Sequence, residues 1–229
     1  MTIRTIILLI ILSFIYYLYD CYKQKVFFST KSYPQLKHIE ENWETISSEI
    51  PPFNTIERKQ YYKRTADTWN TIKGKELTNS LTGTWLEGHQ GDSIWYNYPL
   101  IYHNKVVNNA DKDCPKTISL LKKIPYVKVA GYSLLLPNTK LPSHIDHTGI
   151  KYNSMASNLL LSNGIEINDA NLYIKNEKGC VSRYRHQLGR MVIFDSTYEH
   201  HVDNNDPAIR YILYIDFKLD PSESVVRLV

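Results

Sequence analysis

Four side chains in the C-terminal half can do chemistry together: His144, Asp146, His200 and Arg210. His144-Ile145-Asp146 follows a β-rich run closed by Pro137-Asn138. In extended chain, residues two apart point the same way, so an imidazole and a carboxylate can face one cavity. His200 lies a short turn beyond the apolar run VIFD, and Arg210 opens the last apolar run ten positions later. Two histidines and a carboxylate form the facial triad of non-haem Fe(II) oxygenases, which leaves three metal positions open. Two of those suit the 1-carboxylate and keto oxygen of 2-oxoglutarate, and the third suits O2. A distal arginine offers a planar fork for the far carboxylate of that cosubstrate.

Each residue also has a plainer reading. H-x-D occurs often by chance, and a single Arg near a strand start is most often a surface charge. His147 and His201 are direct rivals as ligands, and His186 is a further candidate, although it falls in a basic turn, RYRH, that reads as exposed. Asp195 and Glu199 flank His200. They can orient it as outer acceptors, or serve as a turn-stabilising Asp and a surface Glu. The chain order and the strand-edge placement favour the triad.

The elements that position these residues are legible in part. From Tyr126 onward the chain breaks into short apolar or alternating runs: YVKVAGYSLLLP, residues 158–161, residues 171–174, RMVIFD and YILYIDFKL. Short strands separated by turn signals predict a sandwich or jelly roll. Eighteen Tyr against nine Gly suit such a β-rich half. Upstream, Leu36, Ile39, Trp43, Ile46 and Ile50 recur at spacings of three and four, which predicts one amphipathic helix over 33–50, ended by Pro51-Pro52. CPKTISLLKK predicts a second short helix. Between them, Trp69, Trp85 and Trp95 stand in a weakly periodic segment, Trp85 and Trp95 as cleft lining or as core.

The run TIILLIILSFIYYLY, from Thr5 to Tyr19, carries no charge. It is slightly short for a bilayer span, but flanking residues extend it. It lacks the small residues of a cleavage site, so residues 1–25 are expected to form an uncleaved membrane anchor and residues 26–229 the catalytic domain. A net charge of +4 with no dense basic stripe argues against nucleic acid as a partner. Cys21, Cys114 and Cys180 form no C-x-x-C pair, and one disulfide between Cys114 and Cys180 is conceivable.

The segments CPKTISLLKKIP, YSLLLPNTKLPSHIDHTG and GRMVIFDSTYEHHVDNNDPAIRYILYIDF resemble the aspartyl/asparaginyl β-hydroxylase family, and YPQLKHIEENWETI is similar to its N-terminal helix. The resemblance implies a double-stranded β-helix that binds Fe(II), 2-oxoglutarate and O2, with His144 and His200 as metal ligands. It implies Arg210 as the cosubstrate arginine, assisted by Ser133. Two departures stand out. Animal members that hydroxylate proteins have Gly at the position of Asp146, and they carry an Arg and a His where this chain has Ala156-Ser157-Asn158, which leaves only Asn158 as a substitute. The expected activity is hydroxylation of an Asp or Asn side chain in a protein or peptide. A lipid acyl chain and a catalytically idle membrane-tethered binding module are the alternatives.

Overall fold

A computed structural model describes residues 2–23, 25–54, 85–87, 94–107, 109–146 and 149–220. Trp69 and His147 lie outside them. The chain opens with helix α1 (Ile3–Lys23) and a two-residue strand β1 (Phe27–Phe28). Where one helix was expected over 33–50, a 3-10 turn at Pro34–Leu36 leads to α2 (Lys37–Glu41) and α3 (Trp43–Ser48). The break falls at Asn42, whose side-chain amide donates to the His38 carbonyl at 2.7 Å. That is the competition for backbone partners that makes Asn a poor interior helix residue.

Next come β2 (Leu86–Glu87), β3 (Trp95–Tyr102), β4 (Lys105–Val106), α4 (Ala110–Asp113) and α5 (Pro115–Leu121). Glu49 caps α5 from outside, accepting from the backbone N–H of Lys116 at 3.0 Å and of Thr117 at 2.7 Å. Its carboxylate complements the positive helix start.

Eight further strands build the barrel: β5 (Val127–Leu135), β6 (Thr139–His144), β7 (Ser154–Leu161), β8 (Ala170–Lys175), β9 (Val181–Arg185), β10 (Met191–Phe194), β11 (Glu199–Asn204) and β12 (Arg210–Lys218). The large sheet runs β1-β10-β7-β12-β5-β3-β2 and the small one β6-β11-β8-β9, antiparallel throughout. Successive strands from β5 to β8 alternate between the two sheets, as do β9 to β12. This is the double-stranded β-helix that the sequence resemblance implies, and the mainly β architecture with flanking helices is as expected.

The large sheet is buried on both faces, so its strands read as continuous apolar runs. One face packs Tyr132, Leu134, Leu159, Leu213 and Phe217 against Leu36, Ile39, Ile46, Ile118 and Leu121 of the helices. The other packs Leu135, Ala156, Val192 and Phe194 against Leu141, Leu172, Ile174 and Val202 of the small sheet. Truncating a fully buried side chain such as Phe217 to Ala is expected to cost about 3–5 kcal/mol.

Cys180 is bonded to Cys21 and not to Cys114. Cys114 is buried and free, its thiol donating to the Glu49 carbonyl at 3.4 Å beneath the helices, and burial pushes its pKa up to about 12.

Candidate active site

A cavity of about 290 Å³ opens between the two sheets. Its walls are mainly apolar: Trp95, Leu135, Leu141, Leu172, Phe194 and Ile212. Into it point His144, Asp146, His200, Ser133, Asn158 and Arg210, so every site residue named from the sequence lines one space.

His144 ends β6 and His200 sits second on β11, and the two are paired across the ladder. Their ring centroids are 4.3 Å apart. Asp146 lies two residues beyond the end of β6, with Oδ2 3.7 Å from His200 Nε2. One ligand atom from each of the three falls within 4.8 Å of the others. Each imidazole donates Nδ1–H to a carbonyl two residues back, His144 to Pro142 at 2.7 Å and His200 to Tyr198 at 2.8 Å. The tautomer is thereby fixed, and both Nε2 lone pairs face the cavity. Burial, then the neighbouring His144 ring, lowers the His200 pKa and favours the neutral form a metal requires.

The loop carrying Asp146 is tied to the turn before His200. Asp146 N–H donates to the Ser196 carbonyl at 2.8 Å. Asp195 accepts from the backbone N–H of Ile150 at 3.1 Å and of Thr197 at 3.0 Å, and from the Thr197 hydroxyl at 2.6 Å. Asp195 is thus a turn-stabilising residue, and Glu199 is exposed, bonded to Ser143 and Lys175. Neither carboxylate is the partner of the His200 ring. His201 points away and stacks on Tyr173.

Arg210 begins β12 and is 3% exposed. Among the described residues no carboxylate pairs with it. Its Nη2 donates to His186 Nε2 at 3.1 Å, its Nε has no partner, and burial lowers its pKa to about 9. His186 corrects a sequence expectation: it is 3% exposed rather than in an open turn. Its neighbours Tyr184 and Arg185 belong to the edge strand β9 and gave no sign that the ring turns inward.

Trp95 lies on the cavity wall and donates Nε1–H to Ser133 Oγ at 2.7 Å, which leaves the hydroxyl proton free to be directed into the space. Among the described residues, Asn158 Oδ1 and Asn97 Nδ2 are buried at the cavity without partners. Trp85, by contrast, is core, packed on Phe53 and Tyr98. Tyr214 also lines the cavity and went unnoticed in sequence. It donates to Asp216 at 2.6 Å, and burial, then Asp216, holds its hydroxyl protonated.

The model of the family described as Aspartyl/Asparaginyl beta-hydroxylase matches residues 40–219. The chain belongs to the aspartyl/asparaginyl β-hydroxylase family. It is an enzyme of the hydroxylase class, as the sequence resemblance implies. Among relatives of this hydroxylase, an uncharacterized protein, L888, of Acanthamoeba polyphaga mimivirus is 26% identical over 213 residues, 89% of this chain and 74% of the relative. The ornithine lipid ester-linked acyl 2-hydroxylase of Rhizobium tropici is 30% identical over 141 residues, 60% of this chain. The match spans 46% of that relative's length. A solved oxidoreductase of the 2OG-Fe(II) oxygenase family from Burkholderia pseudomallei superposes with a TM-score of 0.43 at 12% identity, covering 68% of this hydroxylase and 80% of that chain.

Proposed function

We propose that this hydroxylase uses Fe(II), 2-oxoglutarate and O2, with His144, Asp146 and His200 as the metal ligands and Arg210 as the anchor for the distal carboxylate of the cosubstrate. One observation carries the reading: a His-Asp-His cluster and an uncompensated buried guanidinium line the same apolar cavity.

The donor set fits a ferrous ion. Two imidazoles and one carboxylate supply the donors, and the backbone carbonyls behind the rings hold them in the metal-binding tautomer. A ferrous ion held by His144, Asp146 and His200 would supply the oxidising power for O2-dependent hydroxylation. The chain's own part is positioning. A buried cation without a counter-ion is costly alone, and a bound carboxylate relieves that cost through a charge-assisted fork. Ser133 and Asn158 are placed to hold the same carboxylate or its neighbour. The apolar walls exclude water and strengthen these contacts.

The largely apolar cavity supports an aliphatic substrate carbon, and the Rhizobium relative is named for hydroxylating a lipid acyl chain. A lipid acyl chain is therefore the favoured substrate. The Asp or Asn side chain of a polypeptide is the second reading, favoured by the family's description. The complete cluster speaks against an idle binding module. Helix α1 is apolar over Ile3–Cys21, with a mean hydropathy of 1.8 and none of it buried, and is long enough to cross a membrane. We read it as the anchor.

The test is succinate formation by the full chain in detergent with Fe(II) and 2-oxoglutarate, followed by a mass screen of lipids and of Asp- or Asn-containing peptides for the gain of one oxygen. Iron-dependent succinate that disappears in His200→Ala supports the reading. Turnover unchanged in that variant overturns it.

A further inference from the structure

Two connections bring the membrane-length helix to one end of the barrel, and that end carries the His144–Asp146–His200 cluster. The first is the chain itself. Phe27 of β1 pairs with Phe194, the last residue of β10, and the Phe194 ring lies 5.6 Å from the His200 ring. Cys21 closes the apolar stretch, so five residues join it to Phe27 of β1, a reach of at most about 20 Å.

The second is a clamp. Cys21 is disulfide-bonded to Cys180, Asp20 is ion-paired with Lys178, and the Tyr17 hydroxyl donates to the Lys178 carbonyl at 3.3 Å. Residues 176–180 form the turn between β8 and β9. At the foot of that turn Lys175 pairs with Glu199, and Ile174 pairs with His200, itself opposite His144. The clamped turn therefore leaves β8 at the end of the small sheet that carries the cluster, and β8 is the strand beside β11.

That end also exposes large apolar side chains that a watery surface does not need. Ile145, between His144 and Asp146, is 60% exposed, Ile150 in the same loop is 58% exposed, and Val181 beside the disulfide is 60% exposed. Lys25 and Lys151 stand exposed at that end as well. Apolar tips with flanking lysines match the headgroup level of a bilayer, where aliphatic groups enter the acyl boundary and ammonium groups stay hydrated.

We propose that the α1 clamp holds the cavity mouth against the membrane that α1 crosses, with Ile145, Ile150 and Val181 seated at headgroup level, so that the partner of this face is the lipid surface and the substrate is drawn from the leaflet. The substrate clause rests on the metal-site reading above, whereas the orientation does not. It places the reactive centre within reach of acyl carbons close to the headgroups.

The test uses the full chain in vesicles of phosphatidylcholine with a minor fraction of phosphatidylglycerol. A nitroxide label is placed at Ile150→Cys or, as control, at Ile165→Cys. Ile165 is equally exposed at 56% but precedes β8, whose first residue pairs with Asn204 at the far end of β11. Collision with O2, which concentrates in lipid, is compared with collision with a water-soluble nickel chelate. At Ile150 oxygen access exceeds nickel access severalfold, and at Ile165 the order reverses. Equal nickel access at the two positions overturns the orientation. In the Cys21→Ser, Cys180→Ser background the Ile150 label gains nickel access severalfold, and unchanged protection there overturns the clamp. Succinate formation by the same samples reports separately on the metal-site reading.

Discussion

Arg210 and His186 meet in a space closed to solvent, the guanidinium Nη2 donating to the imidazole Nε2 at 3.1 Å. The contact fixes His186 as a neutral acceptor, since an imidazolium has no lone pair to offer a guanidinium. It also orients Arg210 without neutralising it, which leaves its charge for an incoming carboxylate.

The pair makes stability depend on pH in a defined direction. Burial, then the Arg210 charge, holds the His186 pKa well below its ordinary 6.5. In the unfolded chain the ring takes up a proton near 6.5, and in the folded chain it does not. The contribution is therefore complete above about pH 6.5 and declines as pH falls below it, by at most about 1.4 kcal/mol per pH unit for one proton. Thermal melts of wild type and His186→Gln between neutral pH and about pH 5 check this. The variant, which keeps an acceptor for Arg210, loses part of the acid-side slope, and identical slopes would contradict the assignment.

Replacing Arg210 with Met separates binding from stability. Charge-assisted hydrogen bonds contribute about 1.5–3 kcal/mol each, so the apparent KM for 2-oxoglutarate rises about 10- to 100-fold. Without cosubstrate the variant melts at or above wild type, because a desolvated, uncompensated cation has been removed. A KM that does not move would count against the carboxylate role.

Asp146 distinguishes a three-ligand site from a two-histidine one. Asp146→Ala is expected to weaken Fe(II) binding by more than the roughly 10- to 100-fold that follows loss of an outer-shell partner. Anaerobic metal titration measures it. Wild-type affinity in the variant would reduce the site to His144 and His200.

Gly149 tests the tie between the Asp146 loop and the turn before His200. A Cβ there would lie 1.8 Å from Asp195 Oδ1 and 2.6 Å from Thr197 Cγ2. Gly149→Ala must push Asp195 off its three donors. We expect a loss of about 1–3 kcal/mol in denaturant unfolding, together with weaker metal binding as Asp146 shifts. Metal affinity unchanged despite lost stability would show that the loop does not set the ligand geometry.

Much of this was legible in the sequence, for reasons that differ by element. The ligand spacing His144-x-Asp146 and the Arg210 strand start are local facts, and the structure brings them to one cavity. The central strands β5, β7, β10 and β12 were visible because both their faces are buried, which leaves long apolar runs. Strands β6, β9 and β11 escaped notice because one face is solvated and their sequences, such as EHHVDN, read as turns. Tyr214 and Asn97 were missed, and His186 was read as exposed, because each needs a partner far along the chain to reveal that it points inward. The Cys21–Cys180 bond spans 159 residues and could not be told from Cys114–Cys180 by spacing.

The most direct measurement is an anaerobic calorimetric titration of the full chain with Fe(II), then with 2-oxoglutarate, alongside His200→Ala. The account predicts one ferrous ion per chain, cosubstrate binding that tightens sharply once iron is present, and loss of both in the variant. Cosubstrate binding that ignores iron, or iron bound equally by His200→Ala, would contradict it.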